Sequence, residues 1–274
     1  MTQRHWLASY GSIPHDINAD ACCSVVDLVD QATKRHAHRP AMRCAGQTLS
    51  YADLDRLSRD FAAYLQGPLG VKKGDRIAVM MPNLLAFPIA FLGIARAGAV
   101  QVNVNPLYTP RELEHQLNDA GVQTIVVYGG VSAMVAEVMS RTGLKTVVTV
   151  GVGDGSGKVL PSPPVDARLK GATAFTDALA QGAPLSFTPV DLKGDDLVFL
   201  QYTGGTTGLS KGAALSHRNL IANTEQFKAF MPEALRPGEE VIVTAIPLYH
   251  IFALMVNFIT YFSVGADNWL VPNP

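Results

Sequence analysis

The stretch Tyr202-Thr203-Gly204-Gly205-Thr206-Thr207-Gly208-Leu209-Ser210-Lys211-Gly212 gathers four glycines, three threonines and one lysine. Glycine tolerates φ > 0 and lets successive backbone N–H groups turn toward an anion. The threonine hydroxyls add neutral donors, and Lys211 adds a full positive charge. This chemistry suits the phosphates of a nucleotide triphosphate. The alternative is a ligand-free Gly/Thr-rich hairpin, for which so long a loop behind an apolar strand is uncommon.

The spacing excludes a Walker loop, in which glycine immediately precedes the lysine and Ser or Thr follows it. Here Lys211 lies between Ser210 and Gly212, so the hydroxyl that would hold a divalent cation is missing from its Walker place. A Walker loop also opens a helix, whereas 212–216 reads as a short extended run after the strand 197–202, with a helix capped by Ser216 beyond it. The loop is therefore expected to join two strands and to bind phosphate through N–H and hydroxyl groups.

Other reactive side chains are scattered. His250 follows Pro247-Leu248-Tyr249 between an expected strand and an expected helix, where a side chain can face a crevice. Taken alone, a histidine among apolar residues more often serves packing. Asp195-Asp196 could form a metal pair but read better as the solvated start of a strand. Arg218 is expected to bond loop carbonyls, and nothing places Glu225 on a metal.

Residues 202–213, with Asp195-Asp196-Leu197-Val198-Phe199-Leu200-Gln201 before them and Ser216-His217-Arg218-Asn219 after, resemble the signature loop of the acyl-adenylate-forming (AMP-binding) superfamily. Within it the chain is most similar to bacterial long-chain fatty acyl-CoA synthetases. Lys73-Gly74-Asp75-Arg76 through Pro82-Asn83, Ala97-Gly98-Ala99-Val100 through Asn105-Pro106, and Pro247-Leu248-Tyr249-His250-Ile251-Phe252-Ala253-Leu254 agree, in order, from about Ser24 onward.

The resemblance implies ATP-dependent activation of a long-chain fatty acid to an acyl-adenylate and then to acyl-CoA, with ATP, Mg²⁺ and CoA taking part. It implies Tyr202, Thr203, Gly204, Gly205, Thr206, Thr207, Gly208, Lys211 and Gly212 at the nucleotide. Thr203 would help coordinate Mg²⁺, Thr206 and Thr207 would bond phosphate oxygens, and Lys211 would hold the β and γ phosphates. His250 would orient the acyl carboxylate, with Tyr249, His250 and Phe252 bordering the acyl substrate and Leu254 and Met255 beside them.

The fold it implies is α/β: parallel sheets with helices on both faces, in two packed sheet-bearing subdomains. One would comprise 24–70 and 200–274; the other, 71–199, would be doubly wound. The family's later motifs, a Tyr-Gly-x-Thr-Glu segment, a ribose-binding Asp, a hinge and a mobile lysine, are not found in the sequence. The chain thus reads as an N-terminal half, its second subdomain incomplete and its C-terminal lid domain absent, inactive alone. The other class is a truncated, non-catalytic nucleotide-binding or interaction protein. The resemblance leaves room for a homodimer and for peripheral association with the inner membrane.

Composition narrows the field. With 274 residues and 48% hydrophobic content the chain can bury a large core. A formal net charge of −1 without a basic run gives no footprint for nucleic acid. Cys22, Cys23 and Cys44 cannot all pair, and 1–14 lack an apolar leader region, so a cytoplasmic setting is expected. The uncharged runs 77–95 and 241–266 are cut by prolines into a strand and a helix too short for a bilayer.

The elements that must position the loop are legible by period. Strands are expected at 76–81, 100–104 (alternating, with one face less deeply buried), 123–128, 145–150, 197–202, 212–215 and 241–246. Helices are expected at 25–36, 51–66, 84–97, 110–120, 131–141, 217–230 and 249–264, with a Thr109–Glu112 capping box and Pro110 at the first helical position. Residues 151–170, rich in Gly, Ser and Pro, read as a mobile surface spacer.

Overall fold

A computed structural model describes residues 4–203, 210–231 and 235–272. After a 3₁₀ turn at His5–Ser9 the elements are α1 Val25–His36, β1 Pro40–Cys44, β2 Gln47–Ser50, α2 Tyr51–Gln66, β3 Arg76–Met80, α3 Ala86–Arg96, β4 Val100–Asn103, α4 Pro110–Asp119, β5 Thr124–Tyr128, α5 Ser132–Val138, β6 Thr146–Val150, β7 Thr173–Ala174 and α6 Phe175–Gly182. There follow β8 Leu197–Thr203, β9 Lys211–Ser216, α7 His217–Phe230, β10 Val241–Thr244, a π-helix Ala253–Thr260 continued by Tyr261–Ser263, and β11 Asp267–Leu270.

Local chemistry explains most boundaries. Ser50–Asp53, Thr109–Glu112 and Ser216–Asn219 are reciprocal capping boxes that open α2, α4 and α7. The helices α3 and α4 stop before Gly98 and Gly121, both at positive φ. The hairpin β1–β2, which the hydrophobic pattern did not reveal, turns through Ala45 and Gly46 with φ of 48° and 73°.

The strands form two sheets, ordered β7-β6-β5-β3-β4-β8-β9 and β10-β11-β1-β2. The larger sheet is parallel except for β9, which runs antiparallel to β8. Sheet membership corrects the division expected at residue 200: β8 and β9 complete the larger sheet, because β8 pairs with β4 from Gln101↔Phe199 to Asn103↔Gln201. The smaller sheet joins β1 and β2 to β10 and β11 across most of the chain length.

One core fills the space between the sheets, where α2, α3 and the π-helix meet; Phe91 packs on Phe199 at 5.0 Å and on Phe258 at 5.8 Å. Every residue of α3 is buried, which accounts for its unbroken apolar character. No helix among the described residues is long and apolar enough to cross a membrane. At its end Arg96, 1% exposed, reaches Asp30 of α1 at 2.8 Å and Asp55 of α2 at 2.5 Å, so three helices share one ion cluster.

Several expectations fail for tertiary reasons. Both faces of β4 are buried, because its polar residues bond to one another: Gln101 Nε2 donates to Asn103 Oδ1 at 2.7 Å. The strand β10, whose apolar run reads as a buried strand, is instead a sheet edge with Val241 and Val243 exposed. The expected helix at 249–264 is π-helical over Ala253–Thr260; the Asn257 carbonyl accepts from Asn268 Nδ2 at 2.7 Å instead of serving the helix alone. The segment 151–170 lies largely at the surface, as expected, with side chains bonding its backbone where Gly151 N donates to Asp154 and Val152 N to Ser162 Oγ. Among the described residues Arg218 pairs with the Asp20 carboxylate at 2.7 Å and with no loop carbonyl through its side chain.

His217 latches the first helix of the chain to α7. It is 1% exposed, and its Nδ1 accepts the N–H of Val25 at 3.2 Å. Burial lowers its pKa from 6.5 to about 4, against the pull of Asp196. The unfolded chain therefore binds the proton more tightly. Stability should be full above pH 6.5 and fall as pH drops toward 4, by about 3 kcal/mol at most. Urea unfolding across that range checks this, and His217→Gln, which accepts without titrating, should flatten the fall.

Candidate active site

The phosphate-loop residues are carried on the hairpin β8–β9, whose register sets Tyr202 opposite Gly212 and Thr203 opposite Lys211. Gly204, Gly205, Thr206, Thr207 and Gly208 lie outside the described residues. Both Thr203 and Lys211 are exposed, and Ser210 Oγ closes the mouth by donating to the Thr203 carbonyl at 2.8 Å. Among the described residues Lys211 has no ion-pair partner, so its charge is available to an anion.

Two side chains one turn apart on α4 hold both arms of the hairpin. Asp119 accepts the Tyr202 hydroxyl at 2.5 Å, and His115 Nε2 lies 3.2 Å from the Ser210 carbonyl. The Tyr202 ring also covers Gly212, where an added Cβ would sit 2.9 Å from it. Tyr202 therefore serves the site by fixing the loop base; its phenol is committed to α4, and burial followed by Asp119 holds it well above the ordinary tyrosine pKa. Sequence reading missed His115 and Asp119, although their i, i+4 spacing on a capped amphipathic helix placed them on one face.

The second group of expected site residues lies on the turn after β10. His250 is exposed, its N–H donates to the Pro247 carbonyl at 2.9 Å, and its Nδ1 accepts from Phe252 N at 3.2 Å. A neutral ring bonded in this way carries its proton on Nε2, a donor suited to a carboxylate oxygen. Phe252 is 51% exposed, Tyr249 is half-buried, and Leu254 and Met255 are buried in the core. The last two therefore pack the protein rather than line an open channel.

Tyr108 links the two groups. Its phenol is raised above the ordinary range by burial, against a hydrogen bond with Ser210, and it lies close enough to Tyr249 to raise that phenol in turn, after burial. Gln201 of β8 donates to the Tyr249 carbonyl at 3.3 Å, so the base of the phosphate loop and the His250 turn converge at the carboxyl ends of β4 and β8, the end at which open parallel sheets bind ligands.

Among the described residues no three His, Cys, Asp or Glu side chains cluster as a metal site. Asp196 is taken by Lys73 at 2.6 Å and Glu225 by Lys228. The Thr203 hydroxyl makes no hydrogen bond among the described residues. One such hydroxyl fits a Mg²⁺ that keeps waters and is otherwise held by phosphate oxygens.

The contact of Tyr202 with Gly212 generates a stability test. Gly212→Ala should displace the ring and cost about 1 to 3 kcal/mol, while Tyr202→Phe should cost about 1 to 2 kcal/mol by leaving Asp119 without its donor. Because both act through the same ring, the double variant should be less destabilised than the sum, as read from urea midpoints.

A family model described as "AMP-binding enzyme" matches residues 29–274. The chain is 44% identical over 98% of its length to the long-chain-fatty-acid–CoA ligase of Escherichia coli O6:H1, covering 50% of that protein. It therefore spans about half the length of the curated relatives it matches. A solved anthranilate CoA ligase in complex with anthranoyl-AMP superposes with a TM-score of 0.81 at 21% identity, over 94% of this chain and 47% of that one. A long-chain-fatty-acid-CoA ligase from Archaeoglobus fulgidus gives a TM-score of 0.77 at 24% identity, over 92% and 48%. The span of the family match takes in both sheets, the hairpin and the His250 turn, and the chain belongs to the AMP-binding enzyme family.

Proposed function

We propose that this chain supplies the phosphate- and carboxylate-binding part of an ATP-dependent long-chain fatty acid–CoA ligase. The observation that carries the reading is the convergence of Thr203 and Lys211, at the hairpin mouth, with the His250 turn: Gln201, two residues before Thr203 on β8, donates to the Tyr249 carbonyl at 3.3 Å. A cation without an ion-pair partner among the described residues, beside a sequence of glycines and threonines, suits a triphosphate, and an imidazole N–H one structural step away suits a carboxylate.

A free carboxylate resists attack by a thiol because oxide is a poor leaving group. In the proposed reaction the fatty carboxylate attacks the α-phosphorus of ATP and pyrophosphate departs. The CoA thiolate then attacks the acyl carbon of the adenylate and AMP departs. Negative charge spreads over phosphate oxygens in the first transition state, so fixed donors and cations lower the barrier. Lys211 takes the β and γ phosphates, Thr206 and Thr207 bond phosphate oxygens, and the glycines present backbone N–H groups. Thr203 would hold Mg²⁺, which supplies charge neutralisation at the phosphates when bound. His250 orients the acyl carboxylate as a donor and takes no proton. Tyr249 and Phe252 border the start of the chain.

The same reading places the protein in the cytoplasm, with free CoA and ATP, and leaves contact with the inner membrane and self-association to the whole ligase. A non-catalytic nucleotide-binding or interaction protein is the second reading, favoured by the exposed Val241, Val243 and Trp269 on the smaller sheet.

In a full ligase that carries this chain, Lys211→Ala should lower fatty-acid-dependent ATP–pyrophosphate exchange on the order of 10²-fold. Exchange within about threefold of wild type would remove Lys211 from the chemical step. Phe252→Ala should change the ratio of efficiencies between short and long fatty acids by roughly 1 to 3 kcal/mol. An equal loss at every chain length would assign Phe252 to folding instead.

A further inference from the structure

The turn that presents His250 has few backbone partners of its own: among the described residues its one internal bond runs from His250 N–H to the Pro247 carbonyl. Between the end of β10 at Thr244 and the helical segment that starts at 251, polar groups must be satisfied from outside. Two buried amide side chains supply the partners. Asn83, 2% exposed in the link from β3 to α3, donates through Nδ2 to the Thr244 carbonyl at 3.0 Å and to the Ile246 carbonyl at 3.2 Å. Its Oδ1 accepts the N–H of Leu248 at 2.7 Å. Gln201 of β8, 8% exposed, donates through Nε2 to the Tyr249 carbonyl at 3.3 Å.

The orientation of Gln201 is itself dictated. Its Oε1 accepts from Asn103 Nδ2 at 2.7 Å, and Asn103 Oδ1 accepts from Gln101 Nε2 at 2.7 Å. With the oxygen used on β4, the amide nitrogen faces the turn. Both clamps come from the larger sheet and its first crossover, whereas the turn belongs to the smaller sheet. Gln201 also lies on the strand that ends in Thr203, so the phosphate loop and the acyl turn share one ruler.

We propose that Asn83 and Gln201 are positioning residues that set His250 at a fixed distance from the phosphate loop, for the acyl carboxylate of the reading above, on which this inference rests. A donor displaced by about 1 Å loses much of its effect on a reacting group, so a turn held internally by so little needs such clamps. The isosteric acids are disruptive here. Asn83→Asp keeps the bond from Leu248 N but sets an oxygen against two carbonyls, and Gln201→Glu does the same at Tyr249.

The test uses the 274-residue chain. Histidine-ring ¹⁵N NMR of the wild type should show one set of His250 signals with the proton on Nε2. In Asn83→Asp and Gln201→Glu those signals should broaden or split. Laurate affinity should fall about tenfold, with ATP affinity held within about twofold. Tyr51→Phe is the control: it removes a buried hydroxyl that donates to the Phe262 and Ala266 carbonyls without touching the turn. It should lower the unfolding midpoint and leave His250 signals and laurate affinity in place.

Folded clamp variants with wild-type His250 signals and laurate affinity would overturn the proposal. So would laurate and ATP affinities that fall together. If a charged variant does not fold, Gln201→Met, which removes the donor without adding charge, carries the same comparison. A wild-type chain that ignores laurate would count against the fatty-acid reading, and the His250 spectra would then decide the clamps by themselves.

Discussion

The constraint on which the rest of the structure depends is the burial of α3 between two sheets. A helix enclosed on all sides can be apolar throughout, but its ends must hand the chain back to polar surroundings. Here each end carries a buried polar group committed to partners outside the helix. Asn83, just before the helix, is spent on the backbone of 244–248, and Arg96, its last residue, is spent on Asp30 and Asp55. One short segment therefore ties the larger sheet to the smaller one at one end and to α1 and α2 at the other. Removing a partner of such a buried charge leaves an uncompensated ion, which is why the cluster is a condition of the packing and not a surface ornament.

The site inherits its geometry from that packing. Parallel strands deliver their carboxyl ends to one edge, and the hairpin β8–β9 turns back there with its base pinned to α4 through Asp119 and His115. The turn of His250 arrives from the other sheet and is received by amides of the first. Neither half of the constellation would have a defined distance from the other without the shared core of Phe91, Phe199 and Phe258. Buried polar networks of this type specify one arrangement, because each donor or acceptor left unmatched in a low-dielectric interior costs more than the bond it replaces is worth.

Much of this was legible in the sequence by itself. The glycine-threonine-lysine loop, the capping boxes at Thr109 and Ser216 and the βα alternation are local chemistry, written in residues a few places apart. What the sequence left open was decided at long range. Polar residues on β4 suggested a strand face less deeply buried and became a buried amide ladder, because their partners lie a hundred residues away on β8. The strands β8 and β9 joined the larger sheet, since pairing obeys strand proximity and not chain order. Asn83 was visible only as part of a motif, and His115 and Asp119 only as polar residues on a helix face. Periodicity and composition determine which elements form and which side they bury; only the tertiary structure decides which buried donor meets which acceptor, because hydrogen bonding across the core depends on distances that no local pattern encodes.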